Sequence, residues 1–513
     1  MSFTFVGDGP HTGCVWVTLE QPLSVRLLTM LSLIGLVVGS VSVSAETSGR
    51  SIRLADCRIE SSVGSGTARA RCGWFDVAEN RDDSKSKRIR IHVAIISALR
   101  RQALPDPVFI ISGGPGQAAS DFYLSSSRAF DELRRDRDLV VIDQRGTGKS
   151  NRLDCNLPDE LEDESFDSTS IKNATLECLR HLAGDPRFYS TSVAVRDMDD
   201  IRKALGYQRI NLYGISYGTR VAQHYVRRYP MQVRSVVLDG IVPVGVALGP
   251  EVGPAAQSAL DAILRRCTSQ AACQQAFPNI VTELEQLRAQ LTRHSIRITV
   301  PDPSTAIATP LDFSYLHLAA ALRLYSYSDD TASLLPYLIH AAAQDRPQAL
   351  AAQALLVSRD LDQQIANGMH NAVVCTEDVP FFSKQVLNDP TIDRSYLRRV
   401  FVETLQTMCS VWPRGVIDAD FHAPLLSDVP ALLLSGENDP VTPERFGVQA
   451  ARSFKNAKLI VVPGKGHGQL NNPCVSRVMT RYIDRASSID LDLRCVSKQA
   501  ASPFMLSATS PGP

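Results

Sequence analysis

The chain has 513 residues, of which 44% are hydrophobic and 21% charged, with 54 Lys+Arg balanced by 54 Asp+Glu. A net charge of zero provides no long-range attraction to nucleic acid or to an anionic membrane, so neither is expected as a partner. The length suits one large domain carrying an insertion, or two or three domains.

At the N-terminus, Arg26 precedes LLTMLSLIGLVVGSVSVSA, an apolar run ending in Val43-Ser44-Ala45. A short apolar run closed by small residues has the character of an export signal, so residues 1–45 are expected to be removed, leaving no membrane anchor. An uncleaved anchor is the alternative. Asp8 and Glu20, with no basic cluster, fit an over-extended start ahead of that signal.

Of the 11 cysteines, Cys14 precedes the cleavage point, and the rest fall into close couples: Cys57/Cys72, Cys155/Cys178, Cys267/Cys273, Cys375/Cys409 and Cys474/Cys495. An even set reads as a disulfide framework in an oxidising compartment, periplasmic or extracellular. Pairing of neighbours is the expectation, and buried free thiols are the alternative. No C-x-x-C stands with a second such pair or with close histidines, so no zinc site is expected, nor any cofactor.

From Ser51 to Ala98 the segments ARCGWFDVAEN and KRIRIHVAII suggest antiparallel strands. Apolar runs, each closed by a glycine-containing turn, then recur at PVFIISGGPG, DLVVIDQRGTG, INLYGISYG, VRSVVLDGIVP, PALLLSGENDP and KLIVVPGKGHG. Helical patterns such as Val195–Leu205 and Tyr217–Tyr229 lie between them. Runs that are apolar throughout and alternate with helices predict an α/β fold with a mostly parallel central sheet and helices on both faces. Functional groups then belong at the C-terminal ends of the strands.

The alternation breaks between about Val244 and Leu426, where alanine- and leucine-rich runs such as YLHLAAALRLY read as helical. Residues 244–425 are therefore expected to form an inserted, mainly helical cap over the strand ends. The core is divided into residues 46–243 and 426–496. Residues 497–513, small and proline-containing, are expected to be a disordered tail.

INLYGISYGTR places Ser216 between Gly214 and Gly218 in the pattern G-x-S-x-G. If a strand ends here and a helix begins, the corner is too tight for side chains at the two glycines, and it lifts the serine hydroxyl to the positive N-terminal end of the helix. That arrangement is a nucleophile elbow. A serine needs a base, and the base needs an acid to hold its tautomer. Asp439 follows the strand in LLLSGENDPVTP, with Glu437 as an alternative, and His467 follows the next strand in LIVVPGKGHG. The order Ser216, Asp439, His467 is that expected of hydrolases with this architecture. The oxyanion needs two N–H donors: Tyr217, next to the nucleophile, and Gly114 of the turn SGGPGQ, with Gly113 as second choice.

DQRGTGKS ends like a phosphate-binding loop, but Asp143 stands where that pattern needs glycine, so nucleotide binding is rejected. Asp143 and Arg145 are expected to be a turn-stabilising pair beside the site.

Taken in order, GGPG, DQRGTGKS, GISYG, GENDPVTP and GHG resemble the α/β-hydrolase-fold proline iminopeptidases, and more closely their secreted, cysteine-containing tripeptidyl aminopeptidase branch. The resemblance runs from about Ile52 to Cys495. It implies nucleophile, acid and base roles for Ser216, Asp439 and His467, an oxyanion hole from Gly114 and Tyr217, and short peptides as substrates. Ser112 departs from the histidine found there in many iminopeptidases. In NGMHNAVVCTEDVPFF the resemblance places an acidic residue two positions after the cysteine, Glu377, with Asp378 in reserve, to receive a substrate's free ammonium group. The expected activity is that of an exported serine aminopeptidase; an esterase or amidase using the same triad is the alternative.

Overall fold

The computed structural model describes residues 51–62, 64, 66–155, 167–302 and 305–509. The expected signal region, residues 1–45, lies outside the described residues.

Among the described residues eleven strands are formed: β1 (Ala55–Glu60), β2 (Thr67–Ala78), β3 (Arg88–Ile96), β4 (Val108–Ile111), β5 (Leu139–Ile142), β6 (Ile210–Ile215), β7 (Val233–Asp239), β8 (Ile296–Pro301), β9 (Ala308–Phe313), β10 (Ala431–Gly436) and β11 (Ala457–Val462). Nine of them make one sheet in the order β1-β2-β3-β5-β4-β6-β7-β10-β11. The edge from β1 to β5 pairs antiparallel, and every pairing from β5 to β11 is parallel.

The four-residue strands VFII and LVVI are buried along their whole length because alternate side chains enter different cores. Phe109, Ile111, Val140, Leu212 and Leu433 enter the core on one face. Val108, Ile110, Val141, Tyr213 and Leu432 enter the core on the other. The chain passes from β4 to β5 on one side and returns to β6 on the other, so the strand order reverses between β4 and β6. The loops leaving these two strands flank the crevice where such sheets bind ligands.

Between β7 and β10 the chain builds helices including Val252–Ser269, Ile280–Arg293, Tyr315–Tyr325 and Gln348–Gln364 around a separate core that contains Leu260, Phe313, Leu322 and Leu350. It also forms an antiparallel hairpin, β8 with β9, a local departure within the mainly helical insertion. That hairpin buries few residues, Val300, Leu311 and Phe313, so its apolar alternation is weak. The insertion meets the crevice from above: Gln117 bridges to Ile365, and the His467 N–H donates to the Tyr327 carbonyl at 2.7 Å.

Each cysteine couple is joined as neighbours: Cys57–Cys72, Cys155–Cys178, Cys267–Cys273, Cys375–Cys409 and Cys474–Cys495. Among the described residues, no helix is long and apolar enough to cross a membrane.

The C-terminal segment departs from the expectation of a disordered tail. Phe504 is buried against the insertion with the Arg266 guanidinium 3.8 Å above its ring. Ser502 donates to Asp329 through its N–H at 2.9 Å and its hydroxyl at 2.8 Å. Asp329 in turn holds Lys465, two residues before His467, at 2.7 Å. Small residues dominate the tail's composition and hide this single aromatic anchor. Phe504→Ala is expected to remove about 3 kcal/mol of stability, read as a lower denaturant midpoint at unchanged slope.

Candidate active site

The tightness of the corner at Ser216 follows from its glycines. A Cβ on Gly214 would lie 2.4 Å from the Gly218 carbonyl oxygen, and one on Gly218 would lie 2.5 Å from the carbonyl oxygens of Ile111 and Ser112. Between them Ser216 adopts φ 54°, ψ −125°, and the helix Tyr217–Arg228 starts at the next residue. A positive φ is unfavourable for a residue with a Cβ, so surrounding contacts must hold it. The Ser216 N–H donates to the Asp239 carbonyl at 2.8 Å, and the Thr219 hydroxyl donates to the Ser216 carbonyl at 2.6 Å.

Asp439 follows β10 and is only 3% exposed. One carboxylate oxygen accepts the N–H groups of Val441 at 2.9 Å and Thr442 at 2.8 Å. The other accepts the Thr442 hydroxyl at 2.8 Å and stands 2.8 Å from His467 Nδ1. With Nδ1 turned to the carboxylate, Nε2 is the nitrogen left to accept a proton. Burial works to lower the basicity of His467, but the charge and hydrogen bond of Asp439, helped by Asp239, raise its pKa above the ordinary histidine value. Glu437, the alternative acid, is exposed and accepts from the Gly464 N–H at 2.7 Å instead.

Several contacts bring the histidine loop to the serine corner. A Cβ on Gly240, just past β7, would lie 2.8 Å from His467 Cε1, and one on Gly468 would lie 2.9 Å from Ile215 Cδ1. Among the described residues no hydrogen bond joins Ser216 Oγ to His467.

In the turn after β4, a Cβ on Gly113 would lie 3.1 Å from Ser216 Cβ and 3.7 Å from its Oγ. Gly114, at φ 104°, instead directs that position toward Gly116 N, Gln117 N and Ile365. The turn thus lies against the serine corner, and at Gly114 its left-handed backbone turns the chain toward the insertion. Ser112, where many iminopeptidases have histidine, donates through its hydroxyl to the Gln117 carbonyl at 2.6 Å and closes this turn. Tyr217 is 2% exposed, and its phenol oxygen meets Gln144 Nε2 at 3.0 Å and Thr191 Oγ1 at 2.7 Å.

Glu377 and Asp378 are not open to solvent. Both lie in a π-helical turn, Val374–Asp378, and are 0% and 2% exposed, each carboxylate engaged by protein donors. Glu377 accepts the Thr191 N–H at 2.7 Å and the Thr191 hydroxyl at 2.9 Å. Asp378 accepts two guanidinium bonds from Arg220, at 2.7 and 3.1 Å, and the Leu248 N–H at 2.7 Å. Burial pushes Glu377 up to about 7 despite Arg220 nearby. Asp143 and Arg145 are not a pair either: Asp143 Oδ2 meets His92 Nδ1 at 3.1 Å, and Arg145 donates to Asp197 at 2.6 and 2.9 Å. Each is almost wholly buried, and each is matched to a charge or imidazole on a different element.

Sequence reasoning missed Thr442, which holds the acid, Arg220, which grips the insertion, and Asp239. The signal for Thr442 is its place in DPVTP, three residues past the acid. Arg220 and Asp239 show no motif of their own, and only the fold reveals their partners.

A strained serine between strand and helix, on a sheet whose next loops bring a carboxylate and an imidazole together, defines a hydrolase of the α/β class. A family model described as alpha/beta hydrolase fold matches residues 106–470, and the chain belongs to that family. Over 80% of this chain and 85% of its own length, the putative hydrolase YuaR of Escherichia coli is 23% identical. The serine protease Hip1 of Mycobacterium tuberculosis is 22% identical over 90% of this chain and 94% of its own. The tripeptidyl aminopeptidase of Streptomyces coelicolor is 24% identical over 84% of each.

Proposed function

We propose that this protein is an exported serine aminopeptidase that hydrolyses short peptides from their free N-terminus, releasing a proline or a tripeptide. The observation that carries the reading is the imidazole of His467, fixed 2.8 Å from Asp439 in the loop packed against Ser216. Ser216 attacks the scissile carbonyl while His467 takes its proton, and Asp439 stabilises the imidazolium that forms. The oxyanion is met by the N–H groups of Tyr217 and of Gly114, with Gly113 as second choice. His467 then returns the proton to the leaving amine, and water hydrolyses the acyl-enzyme by the reverse sequence. The names of the relatives support a peptide as substrate, and the helical insertion above the crevice supports a small one. Five disulfides and the apolar run before Ala45 support export.

Glu377 and Asp378, closed from solvent, serve in this reading to seat the insertion on the nucleophile helix. Chromogenic peptides with free and with acetylated N-termini test the proposal. Cleavage of the free series alone, at least ~10-fold faster than any acetylated or simple ester substrate, is expected. Turnover confined to blocked peptides or to esters would move the protein to the esterase and amidase reading.

A further inference from the structure

We propose that Asp239 is a positioning residue of this hydrolase, one side of it holding the nucleophile and the other holding the loop that carries the base. The inference rests on the assignment of Ser216 and His467 above. Asp239 ends β7, the strand between those leading to the serine and to the acid. Its carbonyl accepts the Ser216 N–H at 2.8 Å. Its carboxylate accepts the Gln469 N–H at 2.8 and 2.9 Å and the Leu470 N–H at 3.0 Å, two and three residues past the imidazole. The Tyr213 hydroxyl of β6 donates to it at 2.8 Å. A single fully buried residue thus fixes the serine corner and the histidine loop relative to each other.

Among the described residues no lysine or arginine forms an ion pair with this carboxylate. Its hydrogen-bond donors are neutral, and Lys465, the charged side chain of the same loop, is paired with Asp329 at 2.7 Å. Facing it are Tyr213 from β6 and, from the loop, Gln469, Leu470 and the imidazole of His467, which Asp439 and Thr442 meet from beyond β10. Burial pushes Asp239 up to about 6 even with these donors. Between the ordinary aspartate range and that value the folded state holds more protons than the unfolded one, so stability falls as pH rises through the window. The ionised carboxylate therefore does not stabilise the fold. Its negative charge makes His467 more basic, beside Asp439.

The test is Asp239→Asn in the full chain, read in two ways. Hydrogen exchange at the Gln469 and Leu470 amides is expected to accelerate by roughly 10-fold or more, as their acceptor weakens. The rate of covalent labelling by a fluorophosphonate is expected to fall by roughly 10-fold, with the midpoint of its acid limb moved down by on the order of half a pH unit as a negative charge near the imidazole disappears. A purely structural role would lower the rate without moving the limb. Tyr213→Phe, which removes one donor and makes the carboxylate easier to protonate, serves if the asparagine variant does not fold and should move the limb the same way by less. Wild-type exchange at the two amides, or a limb unmoved in both variants, overturns the proposal. A wild-type protein that is not labelled at all sinks the serine-hydrolase reading, while the exchange measurement still decides whether Asp239 holds the loop.

Discussion

Ser216→Ala is expected to lower peptide hydrolysis by ~10⁴-fold or more while leaving the thermal unfolding midpoint near that of the wild type. The variant removes one oxygen from a residue whose backbone bonds, to Asp239 and from Thr219, do not involve the hydroxyl. It also leaves Asp439 and His467 joined, because their hydrogen bond is independent of the serine. Ser216→Gly should be equally inactive but more stable, since glycine adopts φ 54° without the clash a Cβ meets there. The two variants together separate chemistry from strain: both lose turnover and fluorophosphonate labelling, and only the glycine gains stability. Retained turnover in either variant, at a tenth of wild type or above, would show that another group attacks the substrate.

The parts of this molecule legible in its sequence are those where a local rule and the global fold agree. VFII, LVVI and ALLL are apolar throughout because they are buried on both faces, and a run of that kind announces a parallel strand without help from elsewhere. The G-x-S-x-G corner is equally local, since both glycines are required by contacts within the strand–turn–helix unit or with the neighbouring turn. Asp439 and His467 could be placed because each follows a strand of the same sheet. Glu377 illustrates the limit. A carboxylate in the insertion looks the same in sequence whatever it faces, and its contact with Thr191, 186 positions away in the chain, is visible only in the fold. Phe504 was hidden because its partner Arg266 is distant in the chain, and the β8–β9 hairpin because its own stretches carry too little apolar pattern.

Arg220→Met is the substitution expected to destabilise the fold most, by about 3–5 kcal/mol. Arg220 sits four residues after the nucleophile on the helix Tyr217–Arg228, with a side chain only 3% exposed. It donates to both oxygens of Asp378 and to the Val246 carbonyl at 3.0 Å, and it lies 3.6 Å from Glu377. Removing it strands two buried carboxyl groups where no other cation reaches them among the described residues. The loss should depend on pH in a defined direction. Glu377 already has its pKa raised by burial to about 7 with the arginine present, and without it that carboxyl is driven further toward its neutral form. For a carboxyl whose folded-state pKa lies above its unfolded one, stability falls as pH rises through the interval between them. The variant should therefore lose least near about pH 5, where Glu377 binds a proton, and most near about pH 8. Denaturant unfolding at the two pH values reads this difference directly. Adding Glu377→Gln and Asp378→Asn to Arg220→Met should remove most of the pH dependence, because the charges that were stranded are gone. A loss below ~1 kcal/mol, or one equal at both pH values, would show that the arginine is not what keeps these carboxylates in the interior, and that the insertion is seated on the nucleophile helix by packing alone.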